Sequence, residues 1–374
     1  MNEGMGERMT LSVLQVGKFY PPVSGGMERM LQMLCEGGRA AGVSTRALVA
    51  NTHRRTVREE IGGVPVTRVA SIGRAGAVEW CPAFPAHLAR ERADVIVIHE
   101  PNPIALVANF LVRPRAPTIV WFHSEVVRPR WRYTLFYEPF LAYTLKKAAR
   151  IVVSSPALAE QAIALRPYRS KCVVIPFGFD PARFTPAPAP HAGTVPTVLF
   201  VGRLVEYKGV DVLLRAMAGL DGARLVLVGD GPRREALQEL AADLGLAERV
   251  TFEGQVSDER MCELYEQCDL FVLPSVTRAE AFGIVQLEAM AAGKAVVSTA
   301  VPTGVPWVNQ HERTGLIVPP GEVPPLRAAI QRLLGDPALR ERMGREGRAR
   351  VARDFTPARM IQQMLGLYRD LSGR

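Results

Sequence analysis

Short runs of apolar, β-branched residues alternate along this chain with longer segments whose apolar positions recur every three to four residues. LSVLQV, VSTRALVA, DVIVIH, PTIVWF, RIVVS and KCVVI punctuate the first half, and TVLFVG, RLVLVG, RVTFEG, DLFVL and AVVST the second. Strands apolar at nearly every position are covered on both faces, so the pattern predicts parallel sheets built from βαβ units, an α/β fold. Between the halves, FDPARFTPAPAPHAGTVP (179–196) has the Pro- and Ala-rich composition of a linker. The expectation is two Rossmann-like domains, 1–178 and 197–355, with a final helix at 356–374 returning to the first. Open sheets of this kind bind ligands at the carboxyl ends of their strands, which makes a cleft between the domains the expected site.

Composition narrows the partners. With 374 residues, 48% of them apolar and 22% charged, the chain can bury large cores, and a disordered protein is excluded. The net charge of +9 calls for an anionic partner: a nucleic acid, a membrane surface or a phosphorylated ligand. Five scattered cysteines without CxxC spacing fit a reducing cytoplasm and argue against structural zinc. The first residues do not have the pattern of a signal peptide, and no stretch reaches the ~18 apolar residues of a membrane-spanning helix.

Three loops carry candidate chemistry. In GKFYPPVSGGMERM, Gly25 and Gly26 precede a helix that opens near Met27, where free amides suit a phosphate; read alone, it is equally an ordinary βα turn. In FVGRLVEYKG, Arg203 and Lys208 follow a strand and offer a guanidinium fork and a mobile ammonium to phosphate oxygens, or else form a solvated basic turn. In EAFGIVQLE, Glu280 and Glu288 lie eight positions apart around Gly283. Were the whole stretch helical, the acids would be roughly 12 Å apart, too far for a glycosidase pair. A helix carrying one acid near its start and another on its surface is the plainer alternative.

Taken together, GGxE at 25–28, GRLxxxKG at 202–209, VGDGP at 228–232 and EAFGIVQLE at 280–288 resemble the retaining glycosyltransferases of family 4, which have the GT-B fold of two Rossmann-like domains. The resemblance covers nearly the whole chain. TGVPWVNQHERTGLIVPPG (303–321) further resembles the bacterial rhamnosyl and mannosyl transferase branch. The resemblance implies that Glu280 receives hydroxyls of the donor sugar and Glu288 those of the nucleotide ribose. It also implies that Arg203, Lys208, the Gly25–Gly26 backbone and the helix start at Phe282, Gly283 and Ile284 hold the diphosphate. Gly254, Gln255 and Val256 match the segment that meets the base. His123 matches the family's cleft histidine beside the donor sugar, although the family often has Asp where Ser124 or Glu125 stands. His99 and Asn102, in the loop after DVIVI, are candidates for acceptor or donor contacts.

The reaction so implied moves a hexose, mannose-like and from GDP-mannose, to a hydroxyl of a glycan or lipid-linked acceptor in cell-surface polysaccharide synthesis. Transfer with a UDP- or dTDP-sugar such as rhamnose or glucose is the alternative. No D-x-D triplet occurs in the chain, so metal-independent transfer is expected, with no cofactor beyond the donor itself. The segment 126–150 interleaves Arg128, Arg130, Arg132, Lys146 and Lys147 with Trp131, Tyr133, Phe136 and Tyr137, which suits an anionic membrane surface on the cytoplasmic face, or equally a core-facing helix with solvated cations. Rival functions are a sugar-nucleotide epimerase, a glycan phosphorylase and a nucleic-acid binder. The last has no helix-turn-helix, zinc or RNP-type signature in its favour.

Overall fold

The apolar runs become strands of two parallel sheets. The structure, a computed structural model, describes residues 10–23, 25–75, 78–125, 137–184 and 195–373. It divides into one unit of Met1–Ser154, Ala162–Ile175 and Pro357–Arg374, and another of Ser155–Gln161 and Pro176–Thr356.

In the first unit the strands are β1 (Ser12–Val16), β2 (Ser44–Ala50), β3 (Val57–Ile61), β4 (Val64–Val69), the two-residue β5 (Arg74–Ala75) and β6 (Val78–Glu79), β7 (Val95–Glu100), β8 (Thr118–Phe122), β9 (Arg150–Val153) and β10 (Cys172–Val174). The main sheet runs β10-β9-β8-β7-β1-β2-β4-β3, all parallel except the β3/β4 hairpin. From β1 the chain winds outward through β2, then returns to β7 on the other side, so its direction of winding reverses between β1 and β7. Helices α1 (Gly26–Ala40), α2 (Phe84–Arg90), α3 (Pro103–Val112) and α4 (Glu138–Lys147) accompany the sheet. α1 buries Met30, Leu31, Leu34, Cys35 and Gly38, the spacing of one helical face. The C-terminal helix, Pro357–Ser372, belongs to this unit: Met360, Met364, Leu365 and Tyr368 form its buried face, and its Ile361 fills the space beside Gly37 of α1.

In the second unit β11 (Thr197–Val201), β12 (Arg224–Val228), β13 (Val250–Gly254), β14 (Leu270–Leu273), β15 (Ala295–Thr299) and β16 (Gly315–Val318) form a parallel sheet in the order β13-β12-β11-β14-β15-β16. Helices α5 (Val210–Met217), α6 (Arg234–Asp243), α7 (Asp258–Gln267), α8 (Ile284–Ala291), α9 (Val323–Gly335) and α10 (Pro337–Asp354) pack with it. Val198, Phe200, Leu213, Leu225, Leu270 and Val297 are core residues from sheet and helix. Winding reverses here between β11 and β14, which are paired directly.

Two features differ from the sequence expectation. The hairpin β3/β4 and strand β16 are additional; β3, VREEI, is polar and largely exposed at the sheet edge, so it carries no buried-strand pattern. The start of the supposed linker is anchored instead. The Phe179 amide donates to the Phe355 carbonyl at 2.6 Å, and Phe184 stands edge-on to Tyr265 with ring centroids 5.5 Å apart, all within the second unit. Buried aromatic rings hold this part of the stretch. Residues 185–194 lie outside the described residues.

Candidate active site

In the second unit the loops leaving the carboxyl ends of β11, β12, β13 and β14 supply the site, as expected of an open sheet at its reversal point. After β11 the chain makes a short turn, Glu206–Lys208, and then enters α5 at Gly209, whose φ is 65°. A Cβ there would lie 2.2 Å from the Pro274 carbonyl oxygen of the β14 loop. Only glycine permits both the left-handed backbone and that approach. The Val276 amide donates to the Tyr207 carbonyl at 2.8 Å and ties the same two loops.

The consequence is an ion pair. Lys208 Nζ lies 2.6 Å from Glu280 Oε2, with each side chain about 10% exposed, and Ser275 Oγ donates to the same oxygen at 3.2 Å. Ser275 is in turn held through its carbonyl by the Thr299 hydroxyl. Two residues separately named from sequence are therefore one buried unit. Arg203, in contrast, is exposed and its guanidinium makes no hydrogen bond or ion pair among the described residues. It lines a cavity of about 610 Å³ with Gly229, Asp230, Gly231, Pro232 and Gln255. That volume lies in the usual range for small-molecule sites. The wall is close-packed: a Cβ on Gly229 would meet the Gly202 carbonyl at 2.1 Å.

Glu280 precedes α8 rather than belonging to it, so the roughly 12 Å helical separation of the two acids does not apply. Gly283 caps α8 with φ 71° and no side-chain hydrogen bond, and the first turn carries no acid, which leaves amides open at that helix start. Phe282 is buried against Phe177, Trp307 and Phe355, so only its backbone could meet a ligand. Glu288, one turn into α8, receives the Tyr265 hydroxyl at 2.8 Å on Oε2. Burial and the neighbouring Glu288 carboxylate push the Tyr265 phenol upward, so it stays a donor at neutral pH. Gly254 is occupied through its carbonyl by the Gly229 amide at 2.7 Å, while Gln255 is exposed and Val256 half-buried.

In the first unit the expectations change more. The space over Gly25 is taken by the Glu28 carboxylate, whose Oε2 lies 2.2 Å from where a Cβ would be. A side chain at Gly25 would displace that carboxylate, and Gly26 is already the first residue of α1. Burial raises the Glu28 pKa. His123 is buried at the end of β8, its Nε2 3.0 Å from Nδ1 of His99. His99 is buried and reaches Gln15. Asn102 is equally covered and caps α3 by accepting from the Ala105 amide. Both candidates for acceptor or donor contacts are thus about 1% exposed. Tyr137, one of the aromatics of the basic segment, turns inward and donates to Glu100. Residues 126–136, with Arg128, Arg130, Trp131, Arg132, Tyr133 and Phe136, lie outside the described residues.

Sequence reasoning missed Ser275, Tyr265, Gln15 and Tyr368. Ser275 had a signal in its place two residues beyond the end of β14; the others had none, because their partners are distant in the chain. Among the described residues no group of three or more His, Cys, Asp and Glu side chains converges as metal ligands would.

Residues 183–350 match the family of glycosyl transferases group 1, and residues 25–178 match the glycosyl transferase 4-like domain. A D-rhamnosyltransferase of Pseudomonas aeruginosa is 35% identical over 345 residues, 89% of this chain and 88% of that protein. The O-antigen chain mannosyltransferase C of Escherichia coli is 30% identical over 374 residues, 96% of this chain and 99% of that protein. Among solved structures, a sucrose-phosphate synthase of Thermosynechococcus elongatus superposes with TM-score 0.80 at 27% identity, covering 97% of this chain and 99% of that one. With two parallel-sheet Rossmann-like units, each wound about a reversal point, and relatives matched over almost their full length, this chain belongs to the GT-B glycosyltransferases of the bacterial family 4 type.

Proposed function

We propose that the enzyme transfers a mannose-like hexose from GDP-mannose to a hydroxyl of a glycan or lipid-linked acceptor in cell-surface polysaccharide synthesis, with retention of anomeric configuration and without a metal ion. The observation that carries the reading is Arg203: an unpaired guanidinium on a glycine-walled cavity, five positions before the buried Lys208–Glu280 pair and in the same unit as the uncapped start of α8. As the bond from C1 to the diphosphate breaks, its electron pair leaves on the phosphate oxygen, while the acceptor oxygen bonds to C1 and its proton passes to that phosphate oxygen after bond breaking has begun. Negative charge therefore grows on the diphosphate. Fixed cations and helix amides stabilise such charge without reorganisation. Arg203 and Lys208 take that role, Lys208 keeping one N–H on Glu280 and having two more to offer.

Glu280 Oε2 is occupied by Lys208 and Ser275, which orients Oε1 for a sugar hydroxyl; Glu288, set by Tyr265, takes the ribose hydroxyls. The Gly254–Val256 segment and Gln255 meet the base, and His123 meets a sugar hydroxyl. The mannosyl and rhamnosyl relatives support the hexose and the acceptor class. Among the described residues no helix is long and apolar enough to cross a membrane, and the exposed Lys146 and Lys147 of α4 suit peripheral contact with anionic lipid on the cytoplasmic face.

The test is transfer of label from GDP-mannose to lipid-linked glycan acceptors, with and without EDTA, and the anomeric configuration of the product read by NMR. An α-linked product formed equally in EDTA is expected, and Arg203→Ala lowers turnover by ~10²–10³. Inverted product, activity restored only by divalent ions, or an Arg203→Ala enzyme of near-normal turnover each removes the corresponding part of the proposal.

A further inference from the structure

None of the ligand-facing groups of the site comes from TGVPWVNQ (303–310), yet that stretch is bonded to the site's own loop. Val305–Val308 forms a single helical turn with Gly304 as its N-cap. The Gly304 amide donates at 2.8 Å to the carbonyl of Ala281, the residue after Glu280. A Cβ on Gly304 would lie 2.9 Å from that oxygen and 3.0 Å from the Phe282 ring, so a side chain there would push the two segments apart. Trp307, from the same turn, closes on the Phe282 ring with centroids 6.2 Å apart, and Phe355 stands edge-on to both.

The other end of the turn is gripped twice. A helix of one turn leaves its last carbonyls without partners inside it. Arg350 of α10, 7% exposed, donates from Nη2 to the Trp307 carbonyl at 2.9 Å and from Nε to the Val308 carbonyl at 3.2 Å, while its Nη1 donates to Asp354 at 3.0 Å. Its guanidinium lies 5.6 Å from the Trp307 ring centroid and 5.1 Å from that of Phe355. Asn309 is fully buried, and its Nδ2 lies within 3.2 Å of the Val296 and Leu316 carbonyls and the Ser298 hydroxyl, which joins the turn to β15 and β16.

The turn is therefore a strut. One end is fixed to the sheet and to α10, and the other carries Ala281 and Phe282, which lie between Glu280 and the uncapped start of α8. A buried guanidinium is costly unless its donors are used, and two of the three nitrogens of Arg350 serve carbonyls of this one turn. We infer that Trp307 and Arg350 are positioning residues for the reaction: through the strut they hold the Ala281–Phe282 backbone, and with it the amides at the start of α8, in place for the diphosphate. The inference rests on the reading that the α8 start meets the diphosphate. Neither side chain needs to touch the donor. Loosening the strut displaces the α8 amides and leaves Glu288, set by Tyr265, and the Gly254–Val256 segment where they are. A nucleoside monophosphate should then be held as before and a diphosphate less well.

The experiment is isothermal titration calorimetry of the full-length protein with the mono- and diphosphates of guanosine, uridine and thymidine. Wild type is expected to bind one diphosphate more tightly than its own monophosphate. Arg350→Met and Trp307→Leu lower that preference about tenfold, the scale of one hydrogen bond, with monophosphate affinity unchanged. Trp307→Phe, which retains a ring against Phe282, keeps the preference. Arg350→Lys, which retains the charge beside Asp354 but not the fork, falls between, and it replaces Arg350→Met should that variant not fold. The control is Arg340→Met, which removes the other buried arginine of α10, bonded to Asp269 and the Leu333 carbonyl rather than to the strut; its preference stays as in wild type. A preference that survives in both Arg350→Met and Trp307→Leu overturns the inference, as does an equal loss in Arg340→Met, which would mark a general loosening of the unit. A wild type that binds no diphosphate more tightly than its monophosphate overturns the underlying reading of the α8 start, and the inference with it.

Discussion

Cutting the Lys208–Glu280 pair from one side should harm the enzyme far more than removing it whole. The atoms are 2.6 Å apart and each side chain is about 10% exposed, so neither charge is well solvated in the other's absence. In Lys208→Met the Glu280 carboxylate keeps only the Ser275 hydroxyl, and loss of one member of a buried pair costs about 3–5 kcal/mol. Glu280→Gln strands the ammonium, which lies over the Tyr207 ring at 5.7 Å from its centroid, and should cost somewhat less. Replacing both residues leaves no charge unpaired, and such replacements are near neutral, so the double variant should sit within ~1 kcal/mol of wild type. The coupling energy, the two single losses less that of the double variant, is then about 4–8 kcal/mol. For a unit of this size 1 kcal/mol shifts Tm by ~2–4 °C, so Lys208→Met should melt roughly 6–20 °C lower and the double variant within ~4 °C of wild type. Differential scanning calorimetry of the four proteins completes the cycle, read on the transition of the second unit. Additive single effects, with a coupling below ~0.5 kcal/mol, would refute the pair as a unit. All variants lacking Lys208 should also lose turnover, whatever their stability.

The remaining predictions concern orientation and pH. Tyr265→Phe removes the donor that orients Glu288 and should raise the KM for the donor several-fold with kcat nearly unchanged, whereas Glu288→Gln, which loses charge-assisted hydrogen bonds, should raise it by ~10–100-fold; a change confined to kcat would contradict the ribose assignment. Glu100 is buried, holds the Asn102 amide and the Tyr137 hydroxyl on Oε1, and has its pKa pushed up to about 7, chiefly by burial. A folded-state pKa above the ordinary carboxylate value means stability that is full below about pH 4.5 and lost as pH rises through 7, up to roughly 3 kcal/mol. Glu100→Gln should therefore flatten the fall in Tm between pH 5 and 8 and melt higher than wild type at pH 8. An unchanged slope would show that Glu100 is not the titrating group.

How much of this was legible beforehand depends on whether the signal was local. Strands such as PTIVWF and DLFVL announce themselves by unbroken apolar runs, and the loops that follow carry Arg203, Lys208 and Glu280 in recognisable motifs. That Lys208 and Glu280 form one ion pair is not local: they are 72 positions apart and meet because β11 and β14 are neighbours at the reversal point and Gly209 lets their loops close. Gln15 and Tyr368, 353 positions apart, are further beyond reach, and without them His99 had no readable role. A glycine before a helix marks room for something close; that the Glu28 carboxylate stands over Gly25 is not visible in the pattern. The edge strand VREEI was missed because an exposed strand has no apolar pattern to show.

The most direct test of the account is a thermal-shift comparison of wild type and Arg203→Ala against GDP-mannose, UDP-glucose, dTDP-rhamnose and ADP-glucose. A donor at a hundred times its Kd stabilises by ~2.7 kcal/mol, roughly 5–11 °C for a unit of this size. GDP-mannose should give a shift of that order and the other donors small shifts, and most of the GDP-mannose shift should be gone in Arg203→Ala. A shift that survives in Arg203→Ala would place the diphosphate away from the cavity, and a wild-type enzyme unmoved by every donor would contradict nucleotide-sugar binding by this enzyme.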